Sequence, residues 1–152
     1  MGVACLERRT GEVRLLFAGV IHAPKGRDLF DRLGVLSKEL KSRIETLNPD
    51  EVAVEDTFFA KNARSAFHLG MARGVAVAAC LGRGIKIYEY TPATVKSVVT
   101  GYGRADKAQV QKMVRLRVGL ASNTPLEYDA TDAIAVAICH AFSVRPLAVR
   151  ST

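Results

Sequence analysis

The spacing of apolar side chains changes period several times along the chain, and each change marks an element. Residues 2–7 and 13–21 are rich in apolar β-formers and flank the turn-rich Arg8-Arg9-Thr10-Gly11, which predicts a hairpin of antiparallel strands. From 27 to 47 the period lengthens: Leu29, Leu33, Leu36, Leu40, Ile44 and Leu47 recur every three or four residues, with Lys and Arg between them, and Asn48-Pro49 ends the run. That pattern predicts an amphipathic helix. Residues 51–55 read as a short strand ending in an acid, residues 62–81 as a long helix of small apolar side chains, and residues 85–90 as a further strand. Thr91-Pro92 is a helix start, with Thr as N-cap and Pro at the first helical position, and Gly101-Tyr102-Gly103 breaks that helix after Thr100. Helices over 105–118 and 128–142 follow, separated by a loop over 119–127 that contains Pro125. A hairpin followed by strands alternating with helices predicts an α/β fold: a mixed sheet with helices on both faces.

A chain of 152 residues fits one domain with one core, spanning residues 1–152. Its 49% hydrophobic and 24% charged residues exclude the profile of a disordered chain. The longest apolar run, residues 74–81, is far short of the roughly 20 residues that span a bilayer, and no leader pattern opens the sequence. The expectation is a cytoplasmic protein with no membrane partner. Cys5, Cys80 and Cys139 are odd in number and widely spaced, so they are expected to be buried small hydrophobes rather than zinc or redox ligands. A net charge of +7 and a pI near 9.6 admit a polyanionic partner, since clustered Lys and Arg gain affinity for phosphates by releasing counterions.

Two acidic features and one basic one carry candidate chemistry. Val52-Ala53-Val54-Glu55 delivers a carboxylate at the carboxyl end of a strand, where open α/β sheets place ligands. The loop that follows, Asp56-Thr57-Phe58-Phe59-Ala60-Lys61-Asn62, offers aromatics for base stacking and Lys61 for phosphate contact, although either phenylalanine would serve equally in a core. Asp129 and Asp132 stand three residues apart at the start of a helix, beside small residues. Helix-dipole complementation would explain one such Asp. Two acids that close repel unless a cation lies between them, and with Glu55 they suggest a carboxylate cluster for two-metal phosphodiester hydrolysis. The basic run Lys86, Lys96, Arg104, Lys107, Lys112, Arg115 and Arg117 is mostly the solvated surface of helices. Lys96 and Lys107 stand apart as residues expected near helix starts, where a phosphate also meets free backbone N–H groups. His140, two turns beyond Asp132, reads as structural.

With these residues in view the chain resembles the RuvC family of Holliday-junction resolvases. The matching stretches are Val52-Ala53-Val54-Glu55 with Phe58, Ala60-Lys61-Asn62-Ala63-Arg64-Ser65-Ala66, Leu69-Gly70-Met71-Ala72-Arg73-Gly74-Val75-Ala76, Val95-Lys96, Gly101-Tyr102-Gly103-Arg104-Ala105-Asp106-Lys107 and Asp129-Ala130-Thr131-Asp132-Ala133-Ile134-Ala135. The resemblance implies an RNase H-like fold with a mixed five-stranded sheet, whose first strand is missing here. It implies Mg²⁺ ligation, by two ions with Mn²⁺ as a substitute, at Glu55, Asp129 and Asp132. It further implies base stacking by Phe58, strand contacts by Lys96 and Lys107, and DNA contacts by Lys61 and Arg104. Family members act as homodimers that cut four-way junction DNA symmetrically, in concert with a branch-migration helicase complex.

The family's first strand has the form Gly-Ile-Asp-Pro-Gly and supplies a further metal-binding Asp, whereas Met1 to Glu7 corresponds to the strand after it. Loss of a central strand would expose an unpaired edge, so low stability and weak cleavage are expected of the chain as written. The alternative to a structure-selective endonuclease is then a junction-binding protein without chemistry.

Overall fold

The computed structural model describes residues 1–56 and 62–144. The chain runs β1 (Gly2–Arg9), β2 (Glu12–Val20), α1 (Leu29–Leu47), β3 (Glu51–Glu55), α2 (Ala63–Leu81), β4 (Lys86–Tyr90), α3 (Pro92–Thr100), α4 (Lys107–Arg117) and α5 (Tyr128–Ser143). Every element expected from the sequence is present, and the shifts in where α1 and α4 start come from caps. Asp28 accepts a hydrogen bond from the Asp31 N–H at 2.9 Å, so α1 begins after Asp28 rather than at 27. Asp106 and Gln109 form a reciprocal capping box, which starts α4 at Lys107 rather than at 105. In the hairpin Gly11 takes the left-handed conformation the turn requires, and the register slips between Cys5 and Leu6 so that Leu16 bulges outward.

The strands form a central layer between two helical layers. Ala4, Leu6, Val13, Leu15, Ala53 and Tyr90 pack against the core built on α3, α4 and α5, while Met1, Val3, Val52 and Ile87 pack against the core of α1 and α2. Ile134, Ile138 and Cys139 of α5 are wholly buried, which makes α5 the spine of the larger core. Burial raises the thiol pKa of Cys80 and Cys139, as expected of inert core cysteines, whereas Cys5 is only half-buried, being on a strand of the hairpin.

The strands have the mixed character expected of them, one pair antiparallel and one parallel. β1 pairs with β2 antiparallel and β3 pairs with β4 parallel, but β1 and β3 do not pair, so the strand layer consists of two separate two-stranded ladders. Both halves nevertheless present their side chains to the same two cores. β1 runs alongside α5 in the same direction, with Gly2 against Asp129 and the Arg8 guanidinium donating to the Val144 carbonyl at 2.6 Å. β3 runs the opposite way, with Glu51 beside His140. The facing edges of β1 and β3 are therefore antiparallel.

Candidate active site

Along β3 the side chains alternate, so Glu51, Ala53 and Glu55 share the face toward α5. Glu51 Oε2 lies 3.1 Å from His140 Nε2, His140 Nδ1 lies 2.9 Å from the Tyr90 hydroxyl, and the Tyr88 hydroxyl donates to Glu51 Oε1 at 2.9 Å. This network ties the late part of α5 to both strands of the parallel ladder, giving His140 the structural role its sequence position implied. It also sets a register. Four residues of strand cover about 13 Å, at about 3.3 Å each. Eight residues of helix cover about 12 Å, at about 1.5 Å each. Anchoring His140 to Glu51 on antiparallel elements thus brings Asp132 level with Glu55.

The electrostatics record that proximity. Burial foremost, and the Asp132 carboxylate next, hold the Glu55 carboxyl above the ordinary glutamate range, with the nearby Lys96 ammonium opposing them. Asp132 in turn receives Lys107, whose Nζ is 3.5 Å from Oδ2 and 4.9 Å from the centre of the Tyr128 ring. Asp129 stands apart. It occupies the first turn of α5, is largely exposed, and directs Oδ2 toward the Met1 ammonium at 3.9 Å. Dipole complementation accounts for its position at the helix start but not for Asp132, a turn further in.

Glu55, Asp132, Lys96 and Lys107 therefore converge, while Asp129 flanks them. Among the described residues no three His, Cys, Asp or Glu side chains approach closely enough to form a closed metal cage. Paired carboxylates still suit a hard divalent cation, because Mg²⁺ is commonly bound by one or two carboxylates and completes its shell with water and phosphate oxygens. The rise in the Glu55 pKa, from burial first and from Asp132 second, is of the kind a cation between the two acids would relieve. Beside Asp129 a groove of about 500 Å³ opens between α1, α2 and the start of α5, with Arg32, His68 and Tyr128 on its walls.

Phe58 and Lys61 lie outside the described residues. Arg104 is exposed, in the turn before α4. Lys107 is the first residue of α4, as expected, but Lys96 stands in the second turn of α3. It offers a side chain and not free backbone donors, because Thr91 and Pro92 set the helix start further back than its charge alone suggests. Two neighbours of the acids were not singled out from the sequence. Tyr128 underlies Lys107, and Arg73 of α2 donates from Nη1 to the Glu55 carbonyl at 2.7 Å. Tyr128 carries no motif signal, and Arg73, though inside a stretch that carries the resemblance, is distinguished only by its packing against β3.

The model of the family described as crossover junction endodeoxyribonuclease RuvC matches residues 1–140. The crossover junction endodeoxyribonuclease RuvC of Chloroflexus aggregans is 48% identical over 147 residues, which cover 97% of this chain and 89% of that protein. That of Halothermothrix orenii is 41% identical over 145 residues, covering 95% and 87%. Thermus thermophilus RuvC in complex with a Holliday junction substrate superposes with a TM-score of 0.83 at 29% identity, over 93% of each chain. The similarity spans both helical layers and both strand pairs, and it bears out the RNase H-like α/β fold. The chain belongs to the RuvC family of crossover junction endodeoxyribonucleases, which are divalent-metal-dependent nucleases.

Proposed function

We propose that this chain resolves four-way DNA junctions by hydrolysing one phosphodiester on each of two opposed strands, with Glu55 and Asp132 as metal ligands and Asp129 joining them when the ion is bound. The observation that carries the reading is the approach of Glu55 to Asp132 with Lys96 and Lys107 alongside, which joins a cation-binding pair to a phosphate-binding pair. Two Mg²⁺ ions, or Mn²⁺ in their place, would supply an activated water and stabilise the leaving oxygen.

The protein's own groups do the positioning. Lys107 pairs with Asp132 and lies over the Tyr128 ring; with a cation held by Asp132, its ammonium would be free for a strand phosphate while Tyr128 keeps it oriented. Lys96 offsets the charge of Glu55, favours its ionised ligating form, and can reach the same strand. Arg104 stands exposed ahead of Lys107 and extends the basic path. Phe58 is assigned to stacking on an unpaired junction base and Lys61 to a phosphate, both from the sequence pattern.

A symmetric cut calls for two copies. Phe67 and Leu69 are exposed on α2, whose buried residues all lie near its carboxyl end, which supports a homodimer formed through that helix. The chain is assigned to the cytoplasm with its DNA substrate, and to a branch-migration helicase as the partner that delivers junctions. The endodeoxyribonuclease activity of its relatives favours cleavage over the alternative of junction binding alone. The test is incubation with a labelled mobile four-way junction and with linear duplex of the same sequence, each with Mg²⁺, Mn²⁺ or chelator. Paired nicks on the junction alone, dependent on the divalent ion, are expected. Equal cutting of the duplex would overturn the structure selectivity.

A further inference from the structure

The C-terminal end of β3 carries two adjacent acids that face opposite ways. Glu55 looks toward α5 and Asp132, while Asp56 looks toward α2 and lies 3.8 Å from Arg73. One Asp56 carboxylate oxygen is shut off from solvent and has no hydrogen-bond partner among the described residues, where the Arg73 guanidinium is the cation beside it. The same guanidinium donates from Nη1 to the Glu55 main-chain carbonyl at 2.7 Å and from Nη2 to the Glu89 carboxylate on β4. Arg73 is itself largely covered. A single planar fork therefore holds three groups: the peptide of the candidate metal ligand, the next residue's carboxylate, and the neighbouring strand.

We propose that Arg73 is a positioning residue for the Glu55 carboxylate, and through it for the divalent cation; this rests on the reading of Glu55 as a metal ligand. The bond to the carbonyl fixes the last peptide of β3 where the ladder ends, with the Asp56 N–H held by the Tyr90 carbonyl at 2.8 Å on one side and Arg73 on the other. Both bonds hold the peptide plane that follows the Glu55 Cα, and fixing that plane limits the directions open to the Glu55 side chain beside Asp132. Removing the guanidinium leaves Asp56 and Glu89 without their shared cation, and their repulsion tilts the strand end. Lysine keeps the charge but not the fork, since a single ammonium cannot satisfy partners spread along two strands. Groups that orient a metal ligand in this way typically change metal affinity about 10–100-fold when removed.

The experiment is calorimetric titration of Mn²⁺ into the DNA-free protein, for the parent, Arg73→Met, Arg73→Lys and Glu55→Gln, each with its thermal midpoint and junction dissociation constant. Weakening of Mn²⁺ binding by about tenfold or more in Arg73→Met and by less in Arg73→Lys, with junction affinity kept within about twofold, is expected. If Arg73→Met does not fold, Arg73→Lys decides. Parent-like Mn²⁺ affinity in the folded Arg73 variants, with Glu55→Gln weakened, would overturn the role given to Arg73. Parent-like affinity in Glu55→Gln, or no saturable Mn²⁺ binding by the parent, would instead overturn the reading of Glu55 as a ligand and this proposal with it.

Discussion

His140→Leu tests whether the register between β3 and α5 governs both stability and the acids at the far end. The substitution keeps an apolar body of similar size within the α5 layer and deletes two hydrogen bonds, one to the Tyr90 hydroxyl and one to the Glu51 carboxylate. A neutral bond contributes about 0.5–1.5 kcal/mol and one to a charged group about 1.5–3 kcal/mol. Glu51 is a third exposed and can turn to water, so the lower part of the summed range applies, about 2–3 kcal/mol. In a domain of this size that corresponds to a fall in thermal midpoint of about 4–12 °C. Tyr90→Phe alone removes only the neutral bond and should cost about 1 kcal/mol. The two changes combined should be less than additive, because both remove the same bond. The site should respond as well: with α5 free to slide on β3, Mn²⁺ affinity falls in His140→Leu even at temperatures where the protein is fully folded. The assay is denaturant unfolding of parent, single and double variants, paired with Mn²⁺ titration. A cost under about 0.5 kcal/mol, the scale of an unremarkable surface change, with unchanged Mn²⁺ affinity would refute the register argument.

Three further outcomes follow from the same geometry. The Glu55 carboxyl is raised by burial and by Asp132, so the folded state holds its proton more tightly than the unfolded state. Its contribution is fully present below the ordinary glutamate value of 4.5 and is lost as pH climbs through the higher folded value; Glu55→Gln should therefore stabilise the metal-free protein at pH 7 and not at pH 4, as read by thermal midpoints. Lys96→Ala and Lys107→Ala should each lower the slope of log junction affinity against log salt by about one unit, and an unchanged slope would remove that lysine from the DNA path. Gly2→Ala places a Cβ 1.8 Å from the Asp129 carbonyl oxygen, so β1 or the first turn of α5 must move; unaltered unfolding and Mn²⁺ binding would show that this close approach is not maintained in solution.

Much of the fold was legible because its cues are local. The Leu29 to Leu47 periodicity, the Thr91-Pro92 start and the Thr10-Gly11 turn each define an element from neighbours within a few residues. The break in the strand layer was legible only through the resemblance, which implies a missing central strand; apolar alternation says that a strand is buried without saying which edge it meets. The site divides in the same way. Glu55, Asp129 and Asp132 are singled out as candidates by residue type and spacing, and Lys107 by a place at a helix start. Arg73 and Tyr128 are not, since an Arg on a small-residue helix and a Tyr at a helix start are ordinary until α2 meets β3 and α5 meets α4. Asp129 and Asp132 are grouped by spacing alone, and their partners in the metal-free chain differ: Asp132 meets Lys107 and Asp129 meets the amino terminus.

The central claim is that Glu55 and Asp132 form the metal-binding core of a junction-cutting site. It is tested most directly by nicking of a four-way junction in Mg²⁺ by the parent, Glu55→Gln and Asp132→Asn, with junction binding measured in parallel. Loss of nicking to background in both variants, with binding retained, is the predicted result. Undiminished nicking in either variant would contradict it.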